Sequence, residues 1–135
     1  MIQTTIGHIQ FNVYPQNLPF YKDLFTFAGW PTLEDTPTFL GVGHDVFHSL
    51  WFFGRANDAR NEYDGPGMNH LGLLVQSQAE VDQMVEYLRQ RNIAPLFDTP
   101  RHRPEYSQDS EHTYYQVMFE SPDRILFEVV YMGRL

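Results

Sequence analysis

GHIQFNV at residues 7–13 and NHLGLLV at residues 69–75 are two versions of one pattern. In each stretch apolar side chains take every second position after a histidine, which is typical of a strand with one buried face. His8 and His70 open the two strands on the face opposite those apolar positions. The sequence therefore predicts two copies of one structural module within the chain.

A helix is predicted after each of these strands. The first runs from Gln16 to Ala28 with a broad apolar face, has Pro19 in its first turn, and stops at Gly29. The second begins at the capping box formed by residues 77–80 (SQAE) and ends at Asn92. Both modules thus start as a strand followed by a helix.

Short strand candidates follow each helix, and polar segments separate them. The strands are expected at residues 38–42, 46–53, 95–97, 114–119 and 125–131, with a long polar loop at 99–112. We therefore expect an α+β fold in a single domain, residues 1–135, built from two tandem βαβββ modules that form a curled mixed sheet around a metal-binding cleft. The modules are placed at about residues 5–54 and 68–132, with a linker at about 55–67.

Composition limits the functions that the chain can have. Its 135 residues, 42% of them hydrophobic, suffice for one domain with a substantial core. The net charge of −8 argues against a nucleic-acid partner. Because there is no cysteine, a metal would have to bind through nitrogen and oxygen ligands.

The amino-terminal segment lacks the marks of a secretory signal. Residues 1–5 (MIQTT) contain no basic residue and no long apolar run follows them. No stretch of the chain approaches the roughly 18 apolar residues of a membrane-spanning helix. We therefore expect a soluble cytoplasmic protein with no membrane partner.

Three residues on separate predicted strands form a candidate metal site. His8, His70 and Glu128 each point to the same side of their strand, and two imidazoles with one carboxylate are a donor set for a catalytic divalent ion. Glu128 lies among apolar residues, where a carboxylate is costly unless it is paired or bound to metal.

The stretch YYQVMFESPDRILFEVVY at residues 114–131 resembles the final hairpin of the vicinal oxygen chelate superfamily. That superfamily includes glyoxalase I, extradiol dioxygenases, fosfomycin-resistance enzymes and bleomycin-binding proteins. Pro122 and Asp123 match the turn of the hairpin, Glu128 keeps the spacing of its ligand glutamate, and Phe20-Tyr21 matches a pair in the first helix. The resemblance covers nearly the whole chain.

Two residues of that turn depart from the family pattern. Ser121 replaces an aspartate, and Arg124 replaces a glycine that usually supplies a positive φ. We therefore expect a different turn geometry at Arg124, with the ligand Glu128 unaffected.

The resemblance implies that His8, His70 and Glu128 bind a divalent metal ion (Fe, Mn, Zn or Ni) acting as a Lewis acid on two substrate oxygens. Glyoxalase I adds a fourth protein ligand from the first module. Counting from two reference points places that ligand at Leu50 or Ser49, and His48 is close enough to serve if the register slips. We expect no protein ligand there, which leaves the three-ligand set of non-haem iron or manganese oxygenases.

Candidate substrate-contacting residues also follow from the resemblance. Extradiol enzymes place an acid–base tyrosine where this chain has Met118, and Tyr114, on the same strand face, is the expected substitute. The candidate pocket residues are His48, Trp51, Met118 and His112. His102 and Arg103, at the predicted loop, are further candidates for acid–base or anion-binding roles.

Three functions compete. The first is a metal-dependent enzyme, a lyase or oxidoreductase of the glyoxalase/dioxygenase type, acting on a small molecule with vicinal oxygens. The second is a metal-free small-molecule binding protein of the bleomycin-resistance type, which the negative charge and the 16% aromatic content also suit. The third is a fosfomycin-type thiol transferase. The resemblance implies a homodimer and leaves open whether the cleft forms within one chain or across two.

Overall fold

Each half of the chain forms a four-stranded mixed sheet with one α-helix. The computed structural model describes residues 1–135, which divide into unit one, Met1–Arg60, and unit two, Asn61–Leu135. Unit one contains β1 (His8–Val13), α1 (Leu18–Phe27), β2 (Thr32–Asp35), β3 (Phe39–Asp45) and β4 (His48–Gly54). Unit two contains β5 (Leu71–Val75), α2 (Gln78–Gln90), β6 (Leu96–His102), β7 (His112–Glu120) and β8 (Leu126–Arg134). The predicted α+β fold of two tandem βαβββ modules is confirmed.

The two sheets have the same topology. The strand order is β1-β4-β3-β2 in unit one and β5-β8-β7-β6 in unit two. In each, the first strand pairs in parallel with the last, and the other neighbours are antiparallel. The first strand thus lies beside the strand of its unit that is most distant in sequence, and residues at both ends of a module meet.

The core of unit one is aromatic. Phe52 of β4 stacks on Phe11 of β1, with ring centroids 5.0 Å apart, and on Tyr21 of α1 at 4.4 Å. Phe25 of α1 adds a tilted contact at 5.5 Å. The alternate apolar positions of the strands therefore pack against the apolar face of the helix, as the period-two and helical patterns indicate.

The helices follow their predicted bounds closely. A short 3-10 helix at Pro15–Asn17 delays the start of α1 to Leu18, and Gly29, at φ +82°, follows its end. Ser77 caps α2 by accepting a hydrogen bond from the backbone N–H of Glu80. Neither helix combines the length and the apolar character that crossing a membrane requires.

The expected long loop at residues 99–112 is shorter than predicted. Strand β6 extends to His102, with Arg101 pairing with Gln116 and His102 with Tyr115. The pairing register is irregular between Leu96 and Arg101, where Phe97 and Asp98 have positive φ. This irregularity breaks the period-two pattern by which a sequence signals a strand.

The turn at Arg124 keeps the geometry that a glycine would supply, contrary to the expectation from the sequence. Arg124 has φ +60°, a region that costs a non-glycine residue free energy. Its guanidinium lies over the Tyr63 ring at 4.6 Å and donates to the Asn61 carbonyl at 3.1 Å. Asn61 in turn donates to the Arg124 carbonyl at 2.9 Å. Side-chain contacts therefore offset the backbone strain.

The second half of the predicted linker packs within unit two. Tyr63 is buried with Met118 and Leu126, and its hydroxyl is hydrogen bonded to Glu120. The boundary between the units falls between Arg60 and Asn61. Residues 61–67 thus belong to unit two.

Candidate active site in unit two

A pocket of about 430 Å³ opens on the face of the unit-two sheet that lies opposite α2. We call it the unit-two pocket. Its lining combines polar residues with aromatic and aliphatic ones: Asp64, Asn69, His70, Phe97, Arg103, Tyr106, Tyr114, Gln116, Met118, Leu126 and Glu128. Such a mixture is typical of small-molecule sites.

Strand register brings the central residues of the pocket to one face. Met118 of β7 and Gly72 of β5 are the direct partners of Glu128 on β8. Side chains two and four residues before Met118, those of Gln116 and Tyr114, share its face because strands alternate. Gly72 leaves room for the carboxylate, since a Cβ at this position would lie 3.3 Å from Glu128 Oε1.

Glu128 is buried and hydrogen bonded through both oxygens. Its residue is 4% exposed. Tyr114 Oη donates to Oε1 at 2.8 Å, and Gln116 Nε2 donates to Oε2. Hydrogen bonds to a carboxylate are stronger than those between neutral groups, and they offset the cost of its burial.

Tyr114 is held as a hydrogen-bond donor. Burial, followed by its hydrogen bond to Glu128, raises the pKa of the Tyr114 phenol well above its ordinary value. The ring also makes an edge contact with Tyr106 at 5.5 Å. The phenol therefore keeps its proton at neutral pH.

His70 is oriented by a chain of hydrogen bonds. Asn69 Nδ2 donates to the Tyr63 carbonyl at 2.9 Å, so Asn69 Oδ1 faces His70 Nδ1 at 2.7 Å and accepts a hydrogen bond from it. In the neutral ring this leaves a lone pair on Nε2. That atom lies 3.8 Å from Glu128 Oε2. Two acceptor atoms thus face each other across the unit-two pocket.

Arg103 lines the pocket and is hydrogen bonded to Gln116. Its Nε donates to Gln116 Oε1 at 2.9 Å, and its Nη2 donates to the Phe97 carbonyl at 3.3 Å. Arg103 was predicted in the loop, and Gln116 was not among the predicted site residues. The signal for Gln116 was its even spacing from Tyr114 and Met118 on one strand.

The predicted site residues divide between the two units. The structure brings His70, Glu128, Tyr114 and Met118 together in the unit-two pocket. His112, the first residue of β7, does not line the pocket, and its Nδ1 is hydrogen bonded to Asp109.

Three of the predicted site residues, His8, His48 and Trp51, lie in unit one. His8 is exposed at the start of β1. His48 is hydrogen bonded to Asp45 at 3.2 Å, and Trp51 Nε1 donates to Ser49 Oγ at 2.8 Å. No group of three or more His, Asp or Glu side chains in the structure is arranged as a metal site.

Strand register identifies the first-module counterpart of Glu128. Glu128 pairs with Gly72, two residues after His70, and Trp51 pairs with Gln10, two residues after His8. Trp51 therefore holds the equivalent position, and the candidates from sequence counting, Ser49, Leu50 and His48, do not. An indole is not a metal ligand in proteins.

Comparisons with known proteins identify the fold. No family model matches the chain, and no curated protein matches it. A proposed glyoxalase from Bacillus halodurans is similar in structure, with 22% identity, a TM-score of 0.77 and 96% of each chain covered. A glyoxylase/bleomycin resistance protein/dioxygenase domain from Frankia sp. EAN1pec has 20% identity and a TM-score of 0.67, with 98% of this chain and 94% of that one covered.

A third solved structure agrees with these two. It is a glyoxalase/dioxygenase from Nostoc punctiforme, with 16% identity, a TM-score of 0.66, and 96% of this chain and 92% of that one covered. At this level of identity the likeness concerns the fold alone. The chain therefore shares the fold of these proteins, which is the fold that the sequence resemblance predicts.

Proposed function

We propose that this protein is a metal-dependent enzyme of the glyoxalase/dioxygenase type that acts on a small molecule with vicinal oxygens. The observation that supports this most strongly is the facing pair of acceptors in the unit-two pocket, His70 Nε2 and Glu128 Oε2, 3.8 Å apart. Two acceptors at this separation attract a cation or a proton between them.

The donor chemistry fits a divalent ion. Neutral imidazole and carboxylate are ligands of iron, manganese, zinc and nickel, and the Nδ1 contact of His70 with Asn69 is the outer contact typical of a ligating histidine. Once bound, the ion would act as a Lewis acid on the two substrate oxygens.

The side chains of the pocket would orient the substrate and hold a proton. Tyr114 keeps its proton on Oη beside Glu128, from where it can donate to a substrate oxygen that gains negative charge. Phe97, Tyr106 and Met118 provide the apolar part of the lining, against which a carbon skeleton can pack.

We also propose that the protein is a homodimer, which light scattering would test.

A metal-free binding protein is the second candidate, and one observation favours it. Both oxygens of Glu128 accept hydrogen bonds from the chain itself, from Tyr114 and Gln116, so the carboxylate is paired without an ion. The pocket would then bind an organic molecule directly, with the same aromatic lining.

Metal analysis distinguishes the two candidates. The protein is purified anaerobically beside His70→Ala and beside His44→Ala, a control at an exposed histidine of unit one. We expect near-stoichiometric divalent metal in the wild type and in His44→Ala, and its loss in His70→Ala. No metal in any sample, and none taken up on reconstitution, would overturn the enzyme and favour the binding protein.

A further inference from the structure

We propose that Arg103 is a positioning residue that fixes the Glu128 carboxylate by controlling the orientation of the Gln116 side-chain amide. The inference concerns the site of the proposed function and rests on it for its consequence for metal binding. Its structural part concerns three residues of unit two and can be measured without metal.

The Gln116 amide lies between a cation and an anion. Arg103 Nε donates to Gln116 Oε1 at 2.9 Å. Gln116 Nε2 donates to Glu128 Oε2. An amide has one accepting end and one donating end. The reversed amide would turn its NH₂ group toward the guanidinium and its carbonyl toward the carboxylate, and both contacts would be repulsive. The guanidinium therefore reinforces the orientation in which the amide donates to Glu128.

Arg103 is itself held in place. Its side chain is 19% exposed, its Nη2 donates to the Phe97 carbonyl at 3.3 Å, and its Nη1 lies 3.5 Å from Glu105 Oε1. The guanidinium is planar and its donors lie at fixed angles to one another. The contacts of Nη1 and Nη2 therefore also fix the direction in which Nε points, which is toward Gln116. Gln116 is 2% exposed, so water does not compete for its amide.

The oxygen that Gln116 holds is the one that faces the histidine. Glu128 Oε2 accepts from Gln116 and lies 3.8 Å from His70 Nε2, whereas Oε1 accepts from Tyr114. If the Gln116 amide reversed, Glu128 Oε2 would lose its hydrogen bond and would face the amide oxygen of Gln116 instead. The separation of the proposed ligand atoms thus depends on a residue that touches neither of them.

The first experiment follows the Gln116 side-chain NH₂ by ¹⁵N–¹H NMR in the metal-free protein, with Gln116→Ala used for assignment. We expect two widely separated proton shifts in the wild type, because one of the two amide protons is hydrogen bonded to the buried Glu128 carboxylate. Arg103→Met should bring them close to those of exposed glutamines, and Arg103→Lys should restore part of the separation. Arg101→Ala is the matched control, since Arg101 is exposed and pairs with Gln116 through the backbone.

The second experiment measures Co²⁺ affinity by absorption in a double-mutant cycle. Arg103→Met and Gln116→Ala should each weaken Co²⁺ binding by roughly 10- to 100-fold, the range for outer contacts of metal ligands. The double variant should bind no more weakly than Gln116→Ala, because Arg103 acts through that residue.

The two experiments separate the two proposals. An NH₂ signal that stays at its wild-type position in both Arg103 variants overturns the positioning role, whatever happens to Co²⁺. Additive losses in the cycle also overturn it. A wild type that binds no Co²⁺ overturns the proposed metalloenzyme, while the NH₂ signal still decides the role of Arg103.

Discussion

Trp51 and Glu128 occupy the same register position in the two units. Each is paired with the residue two places after the histidine that precedes or opens the first strand of its unit. One module thus presents a carboxylate at this position, and the other presents an indole. An indole is not a metal ligand, so unit one has no candidate ligand at the position where unit two has Glu128.

Trp51 is accommodated by a glycine on the neighbouring strand. Gly41 is its Cα partner, and a Cβ at residue 41 would overlap the indole ring. Gly41→Ala should therefore lower the free energy of unfolding by about 1–3 kcal/mol, the range for overpacking. Urea denaturation measures it. In a Trp51→Ala background the same change should cost much less, and an equal cost in both backgrounds would contradict this account.

Asn69 determines the tautomer of His70. The amide joins the Tyr63 carbonyl to His70 Nδ1, so the metal-free neutral ring should carry its proton on Nδ1. Long-range ¹H–¹⁵N NMR of the imidazole should show this form in the wild type and a mixture of tautomers in Asn69→Ala. Asn12→Ala, at an exposed position of unit one, should leave the His70 spectrum unchanged. A tautomer mixture in the wild type would refute the assignment.

Tyr114→Phe separates binding from proton transfer. The substitution removes the donor to Glu128 Oε1 and leaves the Gln116 contact with Oε2. We expect Co²⁺ affinity to change less than tenfold and turnover to fall by about 10²- to 10⁴-fold, the usual contribution of a general acid or base. The assay uses whichever vicinal-oxygen compound the wild type converts. An unchanged rate would remove Tyr114 from the mechanism.

The hydrogen bond between Tyr115 and Asp82 should make the free energy of unfolding fall at high pH. Burial, and next its hydrogen bond to Asp82, raise the pKa of Tyr115 to about 12 from 10.0. The folded protein therefore keeps this proton between pH 10 and 12 while the unfolded chain releases it. The stabilisation is complete below the lower value and is lost as the pH rises toward the upper one. Urea unfolding should show a shallower decline for Tyr115→Phe than for wild type or Tyr131→Phe.

Arg124 tests the balance between backbone strain and side-chain contacts. Arg124→Ala loses the ring contact with Tyr63 and keeps the unfavourable φ of +60°, whereas Arg124→Gly loses the same contacts and relieves the strain. The glycine variant should be more stable than the alanine variant by about 1 kcal/mol. Thermal denaturation gives this difference. Equal stabilities would indicate that the turn rearranges in both variants.

The sequence predicted the elements that obey a simple period. The strands at residues 8–13 and 71–75 alternate cleanly, and α2 has a capping residue at Ser77 and a stop at Asn92. Full-length β6 was missed, because its positive-φ residues, Phe97 and Asp98, interrupt the alternation and its outer half is polar. Local patterns describe regular pairing and do not describe bulges.

The candidate site was predicted only in part, because local patterns do not describe contacts between distant residues. Glu128 and His70 stand out as ionisable groups beside apolar neighbours, and Tyr114 follows from strand parity. Gln116 and Asn69 are uncharged, and their roles exist only through contacts that join residues 103 to 116 and 63 to 69. The counterpart of Glu128 was misplaced by one or two residues because counting along the chain assumes that the two modules are equal in length, whereas the register shifts at the hairpin between β3 and β4.

The Asn69 bridge also bears on how the gene could change. The Tyr63 carbonyl orients the Asn69 amide, and this amide orients His70. A change in the number of residues between Tyr63 and Asn69 would break these hydrogen bonds. Residues 55–60 contribute nothing to this bridge. Insertions and deletions should therefore be accepted within residues 55–60 and selected against from residue 63 to His70.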